Sequence, residues 1–469
     1  MYYGESSQAT KWQLSSQVEL NTIREFANRR ACNALATSTS ATTKNISDAM
    51  SVEDDGTTSG KIKDDNDPPT ATTHQCEVYG FDETTIAVRN ESDPNSSTSS
   101  SSSAAEDDVS CARRPPPLLL TPSDEATLIS FYCSKIPLLI GPHATVARCK
   151  RDAKVASTAC SLYRRFYLSN SIMMHDPKSM LAAAAFLAAK IEDCTIAVQY
   201  IELGTDGMNA RVPIADILRA EIRLLRGIDY ELLVFSPYRT ILSYTEDLRT
   251  FLKSERGAKL VTFNSSSTIS SNSSNEERGV IQRVVAGEDL RPMHDAAMRI
   301  CDDVIVSDIP LLFAPGEVGM AALMIANEYC RAAHSTATTA DNDHSDDIAA
   351  SDKEEEIGSS SSSSSSSSSL HIDIIGYIRC RFQDTANEIT ESINVDTDTI
   401  ETVTQRVSNL GQTMRELKMG KHGCGNYGLD MNELKMLNKK LKKCRAWEDS
   451  EVKDEKVKTK KKKKKRKAE

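Results

Sequence analysis

Nine consecutive residues, Leu181 to Ala189, read Leu-Ala-Ala-Ala-Ala-Phe-Leu-Ala-Ala. Wound as a helix, this stretch has no polar face to offer water. A helix that is apolar all round must be enclosed by other elements, and alanines let those neighbours come close. The run ends at Lys190, well short of the ~20 apolar residues that cross a bilayer. It therefore predicts a buried helix at the centre of a domain, ringed by four others, and argues against an open bundle or a solenoid.

The surrounding sequence supplies the ring. Three tracts begin with a polar capping residue and then proline: Thr121-Pro122, Asp176-Pro177 and Ser236-Pro237. Proline is tolerated in the first turn because its missing N–H would have no partner there. Asp124 stands where a capping side chain can reach back to Thr121. Helical periodicity predicts helices over 122–136, 153–168, 177–191, 213–228 and 237–252, and no alternating apolar run of useful length suggests a strand. A second series follows, over 292–307, 315–330, 370–382 and 395–417, repeating the first in layout. The expected fold is all-α: two tandem domains, each of about five helices around a central buried helix.

Serine-rich stretches interrupt this pattern, including an unbroken run from Ser359 to Ser369. They lack the apolar surface needed to offset chain entropy. The expected organisation is an N-terminal helix (11–32), a disordered insertion (33–116), a first helical domain (117–252) and a Ser-rich linker (253–286). A second domain (287–431) with its own insertion (333–369) follows, then a C-terminal helix (432–447) and a basic tail (448–469). Ser16 with Glu19 is a plausible cap for the first helix.

Net charge is −10. Residues 432–469 carry 17 Lys+Arg against 7 Asp+Glu, a net of +10, which leaves −20 on the remainder. An acidic body argues against broad nucleic-acid binding. The eight basic residues Lys460, Lys461, Lys462, Lys463, Lys464, Lys465, Arg466 and Lys467 form a candidate nuclear import signal. The N-terminus lacks a signal-peptide pattern. The 12 cysteines are scattered with no Cys-x-x-Cys pair, as expected for reduced, mostly buried thiols of an intracellular protein. No phosphate-binding loop, nucleophile–base pair or metal-ligand cluster can be assembled, so no catalytic residue, cofactor or metal is expected.

Two charged residues stand out. On a helical wheel of 213–228, Ile214, Ile217, Leu218, Leu225 and Ile228 form a stripe with Glu221 at its centre. A carboxylate there is costly unless something satisfies it: either a salt bridge within the fold or hydrogen bonds from another chain. Lys190 closes the apolar helix, where it either complements the helix dipole or offers its ammonium to a partner.

Three blocks carrying these residues resemble the cyclin box: Tyr163-Arg-Arg-Phe-Tyr-Leu168, Ala185-Phe-Leu-Ala-Ala-Lys190-Ile-Glu192 and Ile217-Leu-Arg-Ala-Glu221-Ile-Arg-Leu-Leu225. Within the cyclin family the resemblance is to the cyclin H type, through the N-terminal Met1-Tyr2-Tyr3, Ser6-Ser7-Gln8 and Trp12, the Ala27-Asn28-Arg29 block, the Asp229-to-Arg239 link, and Leu434, Leu437, Leu441 and Cys444. It covers about 300 residues in blocks and is weakest in the second domain.

The resemblance implies a tandem cyclin-box fold and a regulatory role without catalysis of its own. Lys190 and Glu221 would grip the activating helix of a cyclin-dependent kinase, with Phe186, Leu187 and Leu225 drying the contact. Trp12, Ile23 and Phe26 would anchor the N-terminal helix. The implied partners are the catalytic subunit of a CDK-activating kinase, a third assembly subunit and the transcription and repair factor TFIIH, in the nucleus, in cell-cycle control and RNA polymerase II transcription. A C-, K- or L-type transcriptional cyclin, or a TFIIB-like cyclin-fold adaptor, are the alternatives.

Overall fold

The computed structural model describes residues 3–49, 119–264, 285–340, 369–389, 397–416 and 430–447. Chain contacts divide it into two compact units, Met1–Val234 with Cys424–Glu469, and Phe235–Gly423. The long helices are numbered in chain order below.

The first unit contains α1 (Gln17–Ala49), α2 (Pro122–Cys133), α3 (Ala153–Ser169), α4 (Pro177–Ile191), α5 (Val198–Gly207), α6 (Ile214–Gly227) and α12 (Met431–Cys444). The apolar stretch is the centre: Met180 to Ala189 are all buried in α4. It packs chiefly on α3 and α6, and also on α2 and α5. Its start is fixed as the sequence predicts, with Asp176 accepting from the amides of Lys178 and Ser179. Thr121 and Asp124 form the reciprocal cap of α2. Ser236 makes no such side-chain bond. Close approach of α6 to α3 depends on Gly227, where an added Cβ would lie 2.5 Å from the Phe166 ring.

The second unit contains α7 (Pro237–Phe251), α8 (Gly287–Val304), α9 (Pro315–Ala340), α10 (Ile374–Ile389) and α11 (Thr397–Glu416). Here α9 is central, packing on α7, α8 and α11. Val318, Ala321, Leu323 and Ile325 are buried along it.

Four expectations need correction. The fifth helix of the first set is α5, not 237–251: α7 packs on α8 and α9. Periodicity missed α5 because it holds two glycines in ten residues, has no capping side chain, and buries only Ile201, Gly204 and Thr205. Strands were not expected, yet β1 (Val261–Asn264) and β2 (Ser369–Ile372) pair antiparallel, Val261 opposite Ile372. Four residues are too few to show alternation, and the partners lie far apart in sequence. The expected helix from Lys11 is broken: Gln8–Trp12 forms a separate π-helical turn, and α1 starts at Gln17. It then continues past residue 32 to Ala49, into the expected insertion, because no Gly or Pro stops it there. The 333–369 insertion likewise begins late, since α9 runs to Ala340. The remaining insertion residues, the linker from 265 to 284 and the tail from 448 lie outside the described residues.

Candidate functional site

Lys190, in the last turn of α4, meets Glu221, midway along neighbouring α6. α4 closes in a Schellman turn: Asp193 takes a left-handed conformation at φ 53°, and the Cys194 amide donates to the Ala189 carbonyl at 3.0 Å. This sets Lys190 in the last turn, with its aliphatic stem leaving the core. Two acids, Glu192 and Asp193, follow one residue later, but Glu192 is engaged elsewhere. Glu192 accepts from Thr158 Oγ1 at 2.8 Å and pairs with Lys154 Nζ at 3.1 Å. Lys190 Nζ instead donates to Glu221 Oε1 at 2.7 Å. The two side chains differ in exposure, 41% for Lys190 and 11% for Glu221.

Phe186, one turn earlier on α4, completes the arrangement. The Lys190 ammonium lies 4.0 Å from its ring centroid, within cation–π range. Phe186 and Leu187 are buried and Leu225 is half-buried, so the first two support the pair from beneath. The apolar surface beside it comes from elsewhere on α6. Leu218, expected in the inward stripe, is 41% exposed, and Ile222 is 53% exposed. The buried stripe runs through Ile217, Ala220, Leu224 and Ile228. Sequence reasoning missed Ile222, although its i,i+4 spacing from Leu218 and its place beside Glu221 were there to be read. The result is a charged pair with spare donors and acceptors, bordered by unpartnered aliphatic side chains.

The terminal helices are anchored near this domain core. Trp12 and Ile23 are buried and Phe26 is half-buried, and α1 packs on α3 and α2. Ser16 Oγ accepts from the Glu19 amide at 3.2 Å, while Glu19 accepts from the Ser15 amide at 2.7 Å. Asn28 Nδ2 donates to the Leu120 carbonyl at 2.9 Å. Beside Asn28, burial raises the Glu125 carboxyl above its usual range, against the hydrogen bonds of Ser171 and Asn28. In α12, Leu434, Leu437, Leu441 and Cys444 are buried. The Trp447 indole donates to the Ile172 carbonyl at 3.0 Å. Lys460 to Lys467 lie outside the described residues. Among the described residues no group of three or more His, Cys, Asp or Glu could hold a metal ion.

No protein-family model matches the chain. Its sequence is similar to Cyclin-H1-1 of Arabidopsis thaliana, 26% identical over 208 residues, which is 44% of this chain and 50% of that protein. It is also similar to Cyclin CCL1 of Saccharomyces cerevisiae, 31% identical over 133 residues, 28% of this chain and 31% of that one. The chain thus spans half or less of the length of these relatives. Among solved structures, a chain of the CAK complex from Chaetomium thermophilum aligns at 16% identity with a TM-score of 0.47, covering 94% of this chain and 88% of its own.

Proposed function

The chain is a member of the cyclin family, close to cyclin H, and on that premise we propose that it is the regulatory subunit of a cyclin-dependent kinase of the CDK-activating type. In this reading it activates a catalytic subunit and performs no catalysis itself. With a third, assembly-type subunit it joins TFIIH, where the kinase acts in RNA polymerase II transcription and in cell-cycle control. The basic run at 460–467 carries it to the nucleus.

The observation that carries this reading is the Lys190–Glu221 pair, 2.7 Å apart beside exposed Leu218 and Ile222. Lys190 has three donors, of which Glu221 uses one. The remaining donors suit the carbonyls at the end of a kinase helix, and Glu221's second oxygen suits an N–H or a basic side chain. Leu218 and Ile222, covered by a kinase helix, exclude water and strengthen those bonds. Clamping that helix brings the kinase's own Lys–Glu pair into register and completes its ATP site.

The test uses the purified catalytic subunit of a CDK-activating kinase. Substituting Lys190→Ala together with Glu221→Ala is expected to weaken association by ~2–5 kcal/mol and to abolish stimulated phosphate transfer. Wild-type binding and activation by the double variant would refute the assignment of the pair.

A further inference from the structure

The end of α6 carries an unusual backbone. α6 closes in a Schellman turn, the Tyr230 amide donating to the Leu225 carbonyl at 2.9 Å. Asp229 sits at the left-handed position of that turn, φ 52°, and Tyr230 is left-handed as well, φ 59°. Aspartate tolerates this region, but tyrosine does not favour it, because its Cβ crowds a carbonyl oxygen. Such a conformation persists only where the surroundings fix it, and an observed outlier of this kind invites a functional hypothesis.

The surroundings here come from the N-terminus. Arg165 of α3 is 2% exposed, and burial pulls its pKa down to about 10. Its Nη1 donates to the carbonyls of Glu231 at 3.2 Å and Leu233 at 3.0 Å. The face of the buried Trp12 ring lies 5.5 Å from its guanidinium carbon. Lys11 Nζ pairs with Asp229 Oδ2 at 2.5 Å. The turn they hold exposes Tyr230 by 63% and leads into Leu233. It follows directly on the helix that presents Leu218 and Ile222. A cation buried against two carbonyls and a ring, at the price of its hydration, is a specific device for fixing that loop.

We infer that residues 3–16 act as a clip. Trp12, through Arg165, and Lys11, through Asp229, hold the 229–233 turn in its left-handed form and so shape the surface that a kinase meets beyond Glu221. The inference rests on the kinase-binding reading and adds to it a positioning role for Trp12 and Arg165. The occupant is the kinase subunit, because the turn is continuous with α6 and the face assigned to that kinase.

The full chain is the material for the test, with the catalytic subunit of a CDK-activating kinase as the probe. Trp12→Ala is expected to speed amide hydrogen exchange at 229–233 and to weaken kinase binding about tenfold. Adding Tyr230→Gly, which removes the Cβ that makes the left-handed turn costly and leaves the Asp229 carboxylate in place, is expected to recover most of that loss, a rescue that general loss of packing would not show. Lys11→Glu, on the surface, gives a milder version of the same pair of effects should Trp12→Ala fold poorly. Unchanged exchange at 229–233, unchanged affinity despite faster exchange, or no rescue by glycine each overturns the clip. A wild-type chain that fails to bind the kinase overturns the reading beneath it, which separates the two failures.

Discussion

The two units each bury a small-residue helix at their centre, yet they treat the polar residue near its end differently. Lys190 and Asn327 both lie about three and a half turns beyond an N-terminal proline, Pro177 in α4 and Pro315 in α9. Asn327 is buried and spends its amide inside the fold. Its Nδ2 donates to the Ile372 carbonyl at 2.7 Å, and its Oδ1 accepts from the Ile372 amide at 3.3 Å. It thereby ties β2 to the central helix. Lys190 instead keeps its ammonium at the surface, 41% exposed. Its only fixed ion pair among the described residues is with Glu221, at the edge of an apolar surface. One architecture thus yields an internally satisfied amide in one copy and a surface charge with spare capacity in the other. The proposed kinase contact falls on the copy with that spare capacity.

The largest expected effects break this comparison in opposite directions. Glu221→Ala should cost ~2–5 kcal/mol of kinase affinity but under ~1 kcal/mol of stability, because Lys190 can turn to water. Asn327→Leu should do the reverse. It leaves the Ile372 amide and carbonyl without their partner in a buried site, at about 3 kcal/mol of stability, with affinity unchanged. Chemical denaturation and binding titration on the same two variants check both halves. If Asn327→Leu weakens binding as much as Glu221→Ala, the contrast between the units is wrong.

A second contrast lies in the buried titratable groups. The first unit keeps an imidazole in its core: His175 packs against Phe166 at 5.1 Å between ring centroids. Burial, then the charge of Arg223, lowers its pKa to about 4 from 6.5. A histidine whose folded pKa is depressed binds its proton more readily when unfolded. Its contribution to stability is therefore whole above pH 6.5 and is lost as pH falls toward 4. The loss amounts to about 3 kcal/mol at pH 4. His175→Phe should destabilise the chain at pH 7, and the gap to wild type should close on acidification. In the second unit Asp303 has the opposite sign. Burial and neighbouring Asp302 raise it to about 6, so Asp303→Asn should stabilise most at neutral pH and least at pH 4. Denaturation series of both variants from pH 7 to 4 test the signs separately.

Much of this was legible in the residues. Leu181 to Ala189 announced the central helix because nothing in it could face water, and Glu221 stood out as a carboxylate where periodicity demanded an apolar side chain; the structure buries it and pairs it with Lys190. Capping residues placed the starts of α2 and α4 to the residue. What was not legible depended on contacts distant in sequence. Leu218 read as one more residue of the inward stripe, and Ile222 was passed over, until the neighbours of α6 were known. α5 gave too weak a periodic signal for its length. Arg165 lies in a block that reads as amphipathic helix, and only the fold reveals that it grips the carbonyls of Glu231 and Leu233. Local patterns report local structure, whereas a buried cation bridging three segments leaves no period behind.

The smallest expected effect concerns how the first unit holds its terminal helices. Lys440 of α12 pairs with Asp124 at 2.6 Å, both partly exposed at 22%. Burial alone would raise the Asp124 carboxyl, but the hydrogen bonds from Lys440 and Thr121 outweigh it and hold the pKa below its usual value. A carboxylate depressed in the folded state contributes stability above its unfolded pKa of 3.8, and that contribution disappears as pH falls through the folded value. Lys440→Ala should therefore cost about 0.5–1 kcal/mol at pH 7, with the cost vanishing in acid. Asp124 also caps α2, so Asp124→Ala should cost more than Lys440→Ala, by roughly another 1 kcal/mol for the lost cap. Equal losses from the two would mean that the ion pair alone carries the contact and that the cap adds nothing.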